Sequence, residues 1–386
     1  MSGRLGPTCR GHAVWLAGIL CARAFAAGAE CANLAAQLEP VRRQYDLPAL
    51  GAAVVRDGEL IALGVTGVRK YGGDVAVTPG DCFHLGSCTK AVTATLIGRL
   101  VEEGTLRWDT SMPEVFPELV AEMQPGYQRV TVDHLLAHRG GLPGESWPKG
   151  ETFLSLHRLP GTPREQREAY VRMMLRQPPE AEPGAKYLYA NAGYAILGAI
   201  AERVTDTAWE QLIIDRVCAP LGMTSAGFGA MGSPDLVDQP WQHKVVQGRR
   251  ELVAPGPLSD NPAVIAPGGC MHCSLADWAK FAALHAGGPA SGVSLLRPET
   301  LEHLHTPFFG GDYAGGWVVC RRDWAGGAAL THAGTNTMNY AVAWLSQERH
   351  FAVLAAANQD DDVGLSAKAC DEAAWMLIQE FLLKTP

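Results

Sequence analysis

The chain lacks the surplus of basic residues that marks a nucleic-acid partner. Its 32 Lys and Arg stand against 40 Asp and Glu, a formal net charge of −8 over 386 residues, which argues against a phosphate-tracking surface. No Gly-rich phosphate loop occurs. Despite 43 Gly and 25 Pro no segment is low-complexity, and no repeat of fixed period points to a solenoid or propeller. The N-terminal apolar run, Ala13 to Ala22, is cut short by Arg23 and is too brief to span a bilayer. One Cys-x-x-Cys, Cys270-Met271-His272-Cys273, has no second pair, so neither a zinc site nor any other cofactor is expected.

What is present fits a large globular enzyme. Hydrophobic residues make up 47% of the chain and charged ones 19%, enough for a substantial core in one or two domains. Residues 1–29 read as a secretory leader: Arg4 and Arg10, the apolar run, then Ala24-Phe25-Ala26 and Ala27-Gly28-Ala29 as cleavage patterns. A periplasmic or secreted protein is therefore expected, with no stable membrane insertion once the leader is removed. Cleavage would leave 29 basic against 40 acidic side chains, a charge of −11, and eight of the ten cysteines. An exported chain permits disulfides, and Cys31 with Cys370 is one plausible pair if the terminal helices pack together. Cys270 and Cys273 read as a local disulfide or as buried thiols. Oligomeric state is not legible.

The order of patterns suggests an architecture. Asn33 to Gln44 has helical spacing. Leu50 to Arg56 and Glu59 to Val68 alternate as strands around Asp57-Gly58, a hairpin signal. Helical periods follow at Ala91 to Val101, Tyr194 to Val204, Trp209 to Val217 and Leu275 to His285, while 144–168 and 226–262 read as loop-rich. Strand patterns return at Gly316 to Arg321, Ala328 to His332, Met338 to Leu345 and Phe351 to Ala357, and Ala367 to Lys384 closes as a helix. The economical fold is α/β of the α+β kind: one antiparallel sheet built from both chain ends (30–82 and 263–386), flanked by helices, with a mainly helical insertion at 83–262. A site would lie in the cleft between the two regions.

Three short patterns carry chemistry. Ser87-Cys88-Thr89-Lys90 follows a strand-like stretch and opens a helix, so Ser87 and Lys90 share a helical face. The helix N-terminus favours negative charge at the serine oxygen, and a desolvated Lys90 becomes a base. Tyr189-Ala190-Asn191 precedes a helix, and His332-Ala333-Gly334 ends a strand. Singly, Tyr189 reads as a structural tyrosine, Asn191 as a helix cap and His332 as a strand histidine; in this order they supply base, substrate contacts and oxyanion hole.

These patterns resemble the class C β-lactamase-related serine hydrolases within the serine β-lactamase and penicillin-binding protein superfamily. The flanks Asp133-His134-Leu135-Leu136-Ala137-His138-Arg139-Gly140-Gly141-Leu142, Asn191-Ala192-Gly193-Tyr194 and Pro220-Leu221-Gly222-Met223 match as well, and the resemblance covers roughly 32–384. It implies Ser87 as the acylated nucleophile, Lys90 as proton acceptor or guide, and Tyr189 as a phenolate-like base whose pKa Lys90 lowers. Asn191 would hold the acyl side of the substrate or orient Lys90. The N–H groups of Ser87 and Thr335 would form the oxyanion hole, and Gly334 would let substrate approach the strand. Which of Lys90 and Tyr189 is the formal base stays open. His134 and His138 read as structural, Cys88 as packed away from Ser87, and Trp147 and Trp317 as possible cleft walls. Two departures bear on substrate. His332 and Ala333 stand where the lactamase motif has lysine and threonine, which weakens recognition of a carboxylate. A small neutral ester or amide is therefore the expected partner. A β-lactamase or D-Ala-type peptidoglycan peptidase, and a non-catalytic protein of the penicillin-binding fold, are the alternatives.

Overall fold

The protein is described by a computed structural model over residues 31–144, 151–288 and 294–384. The leader reading and Trp147 lie outside these residues. Helices used below are α1 (Ala35–Gln44), α2 (Thr89–Glu102), α3 (Pro163–Leu175), α4 (Asn191–Thr205), α5 (Leu275–Ala286) and α6 (Leu365–Ile378). The strands are β1 (Ala32–Asn33), β2 (Ala49–Arg56), β3 (Glu59–Gly67), β4 (Cys82–His84), β5 (Gly227–Phe228), β6 (Gln242–Val246), β7 (Arg249–Val253), β8 (Met271–Ser274), β9 (Val318–Arg322), β10 (Gly327–Thr335), β11 (Tyr340–Ser346), β12 (Phe351–Ala357) and β13 (Gln359–Asp361).

The two chain ends meet in one seven-stranded sheet of order β1-β3-β2-β12-β11-β10-β9. Every neighbour is antiparallel except β1 on β3, as the positions of the strand patterns imply. The β2–β3 turn is Asp57-Gly58, both at positive φ (53° and 85°), the backbone that a two-residue hairpin of right-twisted strands requires. Central strands β2 and β12 are buried almost throughout because both faces are covered. Alternation sorts their side chains: Ala49, Ala53 and Val55 join the core under α2 and α5, whereas Leu50, Ala52 and Val54 join the core under α1 and α6. Small residues let the helices sit close. A Cβ on Gly51 would lie 2.5 Å from Leu275 Cδ1.

Helix α2 is buried on nearly every side, so it reads as apolar all round rather than amphipathic. Its threonines satisfy themselves by donating to backbone: Thr89 to Gly86 O at 2.7 Å and Thr93 to Pro267 O at 2.7 Å. Deeper among the helices, Arg167 of α3 is fully buried between Glu202 (2.6 Å) and Glu210 (2.7 Å).

Several readings change. The segment read as loop at 226–262 contains the β6–β7 hairpin, which pairs with β13, while β5 joins β4 and β8. Its turn is Gln247-Gly248 at φ 51° and 73°, the right backbone with an uncommon first residue, so no turn signal announced it. All eight described cysteines are free thiols. Helices α1 and α6 do pack together, but Cys31 is exposed and Cys370 faces the core. Cys270 and Cys273 are both buried free thiols, the first capping a short helical turn and the second in β8. Trp317 is 1% exposed and packs on His285, so it is core and not cleft wall. Among the described residues no helix is long and apolar enough to cross a membrane, and no cluster of His, Cys, Asp and Glu could hold a metal ion.

Candidate active site

Strand β4 delivers the chain to a tight turn at Gly86, whose φ of +50° suits glycine, and Ser87 stands in the turn that runs into α2. Strand β10 passes directly beside it. A Cβ on Gly86 would come within 2.3 Å of Thr335 N, and one on Gly334 within 2.1 Å of Leu85 O and 2.5 Å of Ser87 N. The glycine at 334 is thus demanded by the nucleophile's own turn. The same contact brings the backbone N–H groups of Ser87 and Thr335 to one place. Cys88 turns away, as the sequence suggested, with Sγ 3.3 Å from His332 O.

Lys90 lies one helical turn on and is fully buried. Its Nζ has three polar neighbours: Asn191 Oδ1 at 2.7 Å, Gly268 O at 2.7 Å and Ser87 Oγ at 3.2 Å. Two of these are carbonyl-type acceptors and no carboxylate is among them. Burial therefore lowers the Lys90 pKa to about 7. A neutral amine suits this setting: two N–H bonds go to the carbonyls and the lone pair is left for the Ser87 hydroxyl. Asn191, the first residue of α4, thus meets Lys90 through its side-chain carbonyl.

Tyr189 donates its hydroxyl to Ser87 Oγ at 2.8 Å. Burial raises its phenol pKa far above the usual value, and the hydrogen bond to Ser87 only partly offsets this. Burial thus works against the expected Lys90-depressed phenolate, although 36% of the residue is exposed.

His332 is 6% exposed. Its Nδ1 lies 2.7 Å from Ala333 O and must donate there, so Nε2 carries the lone pair that accepts the Tyr313 hydroxyl at 3.0 Å. Burial, with Lys90 nearby, lowers its pKa to about 3. It is a neutral ring with both nitrogens engaged. Thr335 turns its hydroxyl away from Ser87, donating to Asp360.

Sequence reasoning passed over His138 as structural. It holds the tyrosine segment from both sides: its carbonyl accepts Leu188 N–H at 2.9 Å and its Nδ1 accepts Ala190 N–H at 3.2 Å. Its ring lies 4.4 Å from that of Tyr189. The backbone there sits at φ +55°, a sparsely populated conformation for a non-glycine residue. The motif was visible in the sequence, but the contact joins residues 50 positions apart and no local pattern reports it.

A serine beside a buried lysine, with a tyrosine on the serine oxygen, set between a helical layer and the edge of an antiparallel sheet, defines a serine hydrolase. The Beta-lactamase family profile matches residues 28–371, and the chain belongs to that family. It is 27% identical over 319 residues to penicillin-binding protein 4 of Amycolatopsis lactamdurans, covering 78% of each chain. Its fold is that of the octameric penicillin-binding protein homologue from Pyrococcus abyssi (TM-score 0.70, 24% identity, 90% of this chain and 79% of that one). The D-stereospecific amidohydrolase from Streptomyces shares it too (TM-score 0.65, 20% identity, 88% and 98%).

Proposed function

We propose that this protein hydrolyses ester or amide bonds of small, neutral substrates through an acyl-enzyme on Ser87, outside the cytoplasm. The observation that carries the chemistry is the amine of Lys90, buried and unpaired with any carboxylate, 3.2 Å from Ser87 Oγ. Ser87 gives its proton to the Lys90 lone pair as its oxygen attacks the carbonyl. The developing oxyanion is met by the N–H groups of Ser87 and Thr335. The C–O or C–N bond then breaks, and the proton taken by Lys90 leaves on the alcohol or amine, relayed by the Tyr189 hydroxyl. Water enters the same position and reverses the sequence to release the acid.

The substrate class rests on His332. With both nitrogens engaged and no charge, it offers nothing to the carboxylate of a β-lactam or a D-Ala-D-Ala terminus. Export rests on the leader pattern of residues 1–29. The test is intact mass with peptide mapping after incubation with a fluorophosphonate and, separately, with a penicillin. Fluorophosphonate on Ser87 without a penicillin adduct is the expected result. Stable acylation by both reagents would move the reading to the penicillin-directed alternative that the Amycolatopsis relative suggests. No adduct from either would overturn an acyl-enzyme on Ser87.

A further inference from the structure

Beneath the site lies a buried carboxylate that the mechanism above does not use. Asp260 is 5% exposed and His84, at the end of β4, is 1% exposed. The Gly86 N–H donates to His84 Nδ1 at 3.0 Å. That nitrogen must therefore be bare, and the ring hydrogen sits on Nε2, which donates to Asp260 Oδ2 at 3.0 Å. The other carboxylate oxygen accepts from Asn336 Nδ2 at 3.0 Å and from the Asn261 N–H at 2.7 Å. Asn336 follows Thr335 directly. Asn261 in turn donates its side chain to Gly269 O at 2.8 Å, next to the Gly268 carbonyl that holds Lys90.

One carboxylate thus ties together three separately delivered walls. It reaches the nucleophile turn through His84, the oxyanion-side end of β10 through Asn336, and the Gly268-Gly269 wall behind Lys90 through Asn261. The hydrogen bonds of Asp260 and His84 run to the walls around Ser87, Lys90 and Tyr189 and not to those residues themselves. We propose that His84 and Asp260 are positioning residues of the hydrolytic reaction, setting the distance between the Ser87 and Thr335 N–H groups and the register of Lys90 against Ser87. This rests on the reading of Ser87 as the acylated nucleophile. Misplacing a reacting group by about 1 Å costs on the order of 10²-fold in rate, and losing one oxyanion donor about 10²–10³-fold. A brace on both should therefore act on turnover and leave ground-state binding of a neutral substrate nearly unchanged.

Asp260→Asn is the informative change. Its carbonyl still accepts from His84, but its new amide faces the Asn336 and Asn261 donors, so those links are lost. On protein counted by fluorophosphonate labelling, kcat for a short-chain p-nitrophenyl ester is expected to fall about 10²-fold with KM little altered. If Asp260→Asn does not fold, Asn261→Ala cuts the side-chain link to Gly269, leaves the carboxylate its three donors, and gives the same readout. A lowered Tm with wild-type kcat per labelled site would overturn the proposal, as would a KM that rises in step with the loss of kcat. Failure of wild-type enzyme to label on Ser87 would overturn the underlying hydrolase reading instead, so the two failures are distinct.

Discussion

Lys90 should govern how this enzyme responds to pH. Its pKa falls from 10.5 to about 7 because the ammonium has lost water and gained no carboxylate. At 1.36 kcal/mol per unit, that is about 5 kcal/mol of preference for the neutral amine. Only the neutral form can take the Ser87 proton, so kcat/KM should rise with pH through an acid limb near 7. Below it the rate should fall about tenfold per pH unit, to roughly 1% of the plateau at pH 5. Neither His332 nor Tyr189 titrates there. His332 is held at about 3, and Tyr189 is pushed upward. Asn191→Asp assigns the limb. It places a carboxylate where the amide oxygen now lies 2.7 Å from Nζ, which favours the ammonium by about one to three units. The limb should move to about pH 8–10 while alkaline activity survives. The assay is kcat/KM for a p-nitrophenyl ester from pH 5 to 10, corrected for spontaneous hydrolysis. A wild-type profile flat down to pH 5, or a limb that stays in place in Asn191→Asp, would refute the reasoning.

Other outcomes follow from the same geometry. Tyr189→Phe should lower kcat about 10²–10⁴-fold with Tm nearly unchanged, since that hydroxyl donates to Ser87; steady-state kinetics and a thermal melt check both halves. Gly334→Ala should abolish labelling of Ser87 by a fluorophosphonate, because its methyl would enter the space of Leu85 O and Ser87 N. Arg167→Leu should destabilise by about 3–5 kcal/mol in urea unfolding, because Glu202 would keep a buried charge without its partner. Acid should unfold the protein through buried neutral histidines. His243 and His305 are lowered by burial from 6.5 to about 4, so between those values the unfolded chain binds more protons than the native one. The stability these residues contribute is complete above pH 6.5 and is lost as pH falls towards 4. Tm measured at pH 7.5, 6 and 5 should drop at each step, and an unchanged Tm down to pH 5 would contradict the assignment.

The sequence by itself determined the long strands of the main sheet and the helices α1, α2, α4, α5 and α6, though not α3 or the β6–β7 hairpin. Alternation in Leu50 to Arg56 and Phe351 to Ala357, the Asp57-Gly58 turn and the helical periods report forces that act between near neighbours, and those are written in spacing. Ser87 and Lys90 were legible for the same reason, since three residues on one helix share a face. Tyr189, Asn191 and His332 were legible as motifs, through resemblance to a family. Tertiary structure alone decided what each group is chemically. The Lys90 pKa is lowered because Gly268 and Asn191, from two other elements, surround its amine without a negative charge. The Tyr189 pKa is raised because the same burial that depresses an ammonium raises a phenol. Gly334 is required by a turn some 250 positions earlier in the chain. The His84-Asp260-Asn336 brace, whose members span those same 250 positions, has no local signature at all. Desolvation and hydrogen-bond partnership depend on what the folded chain brings within a few ångströms, and composition and spacing carry that information only where the neighbours in space are also neighbours in sequence.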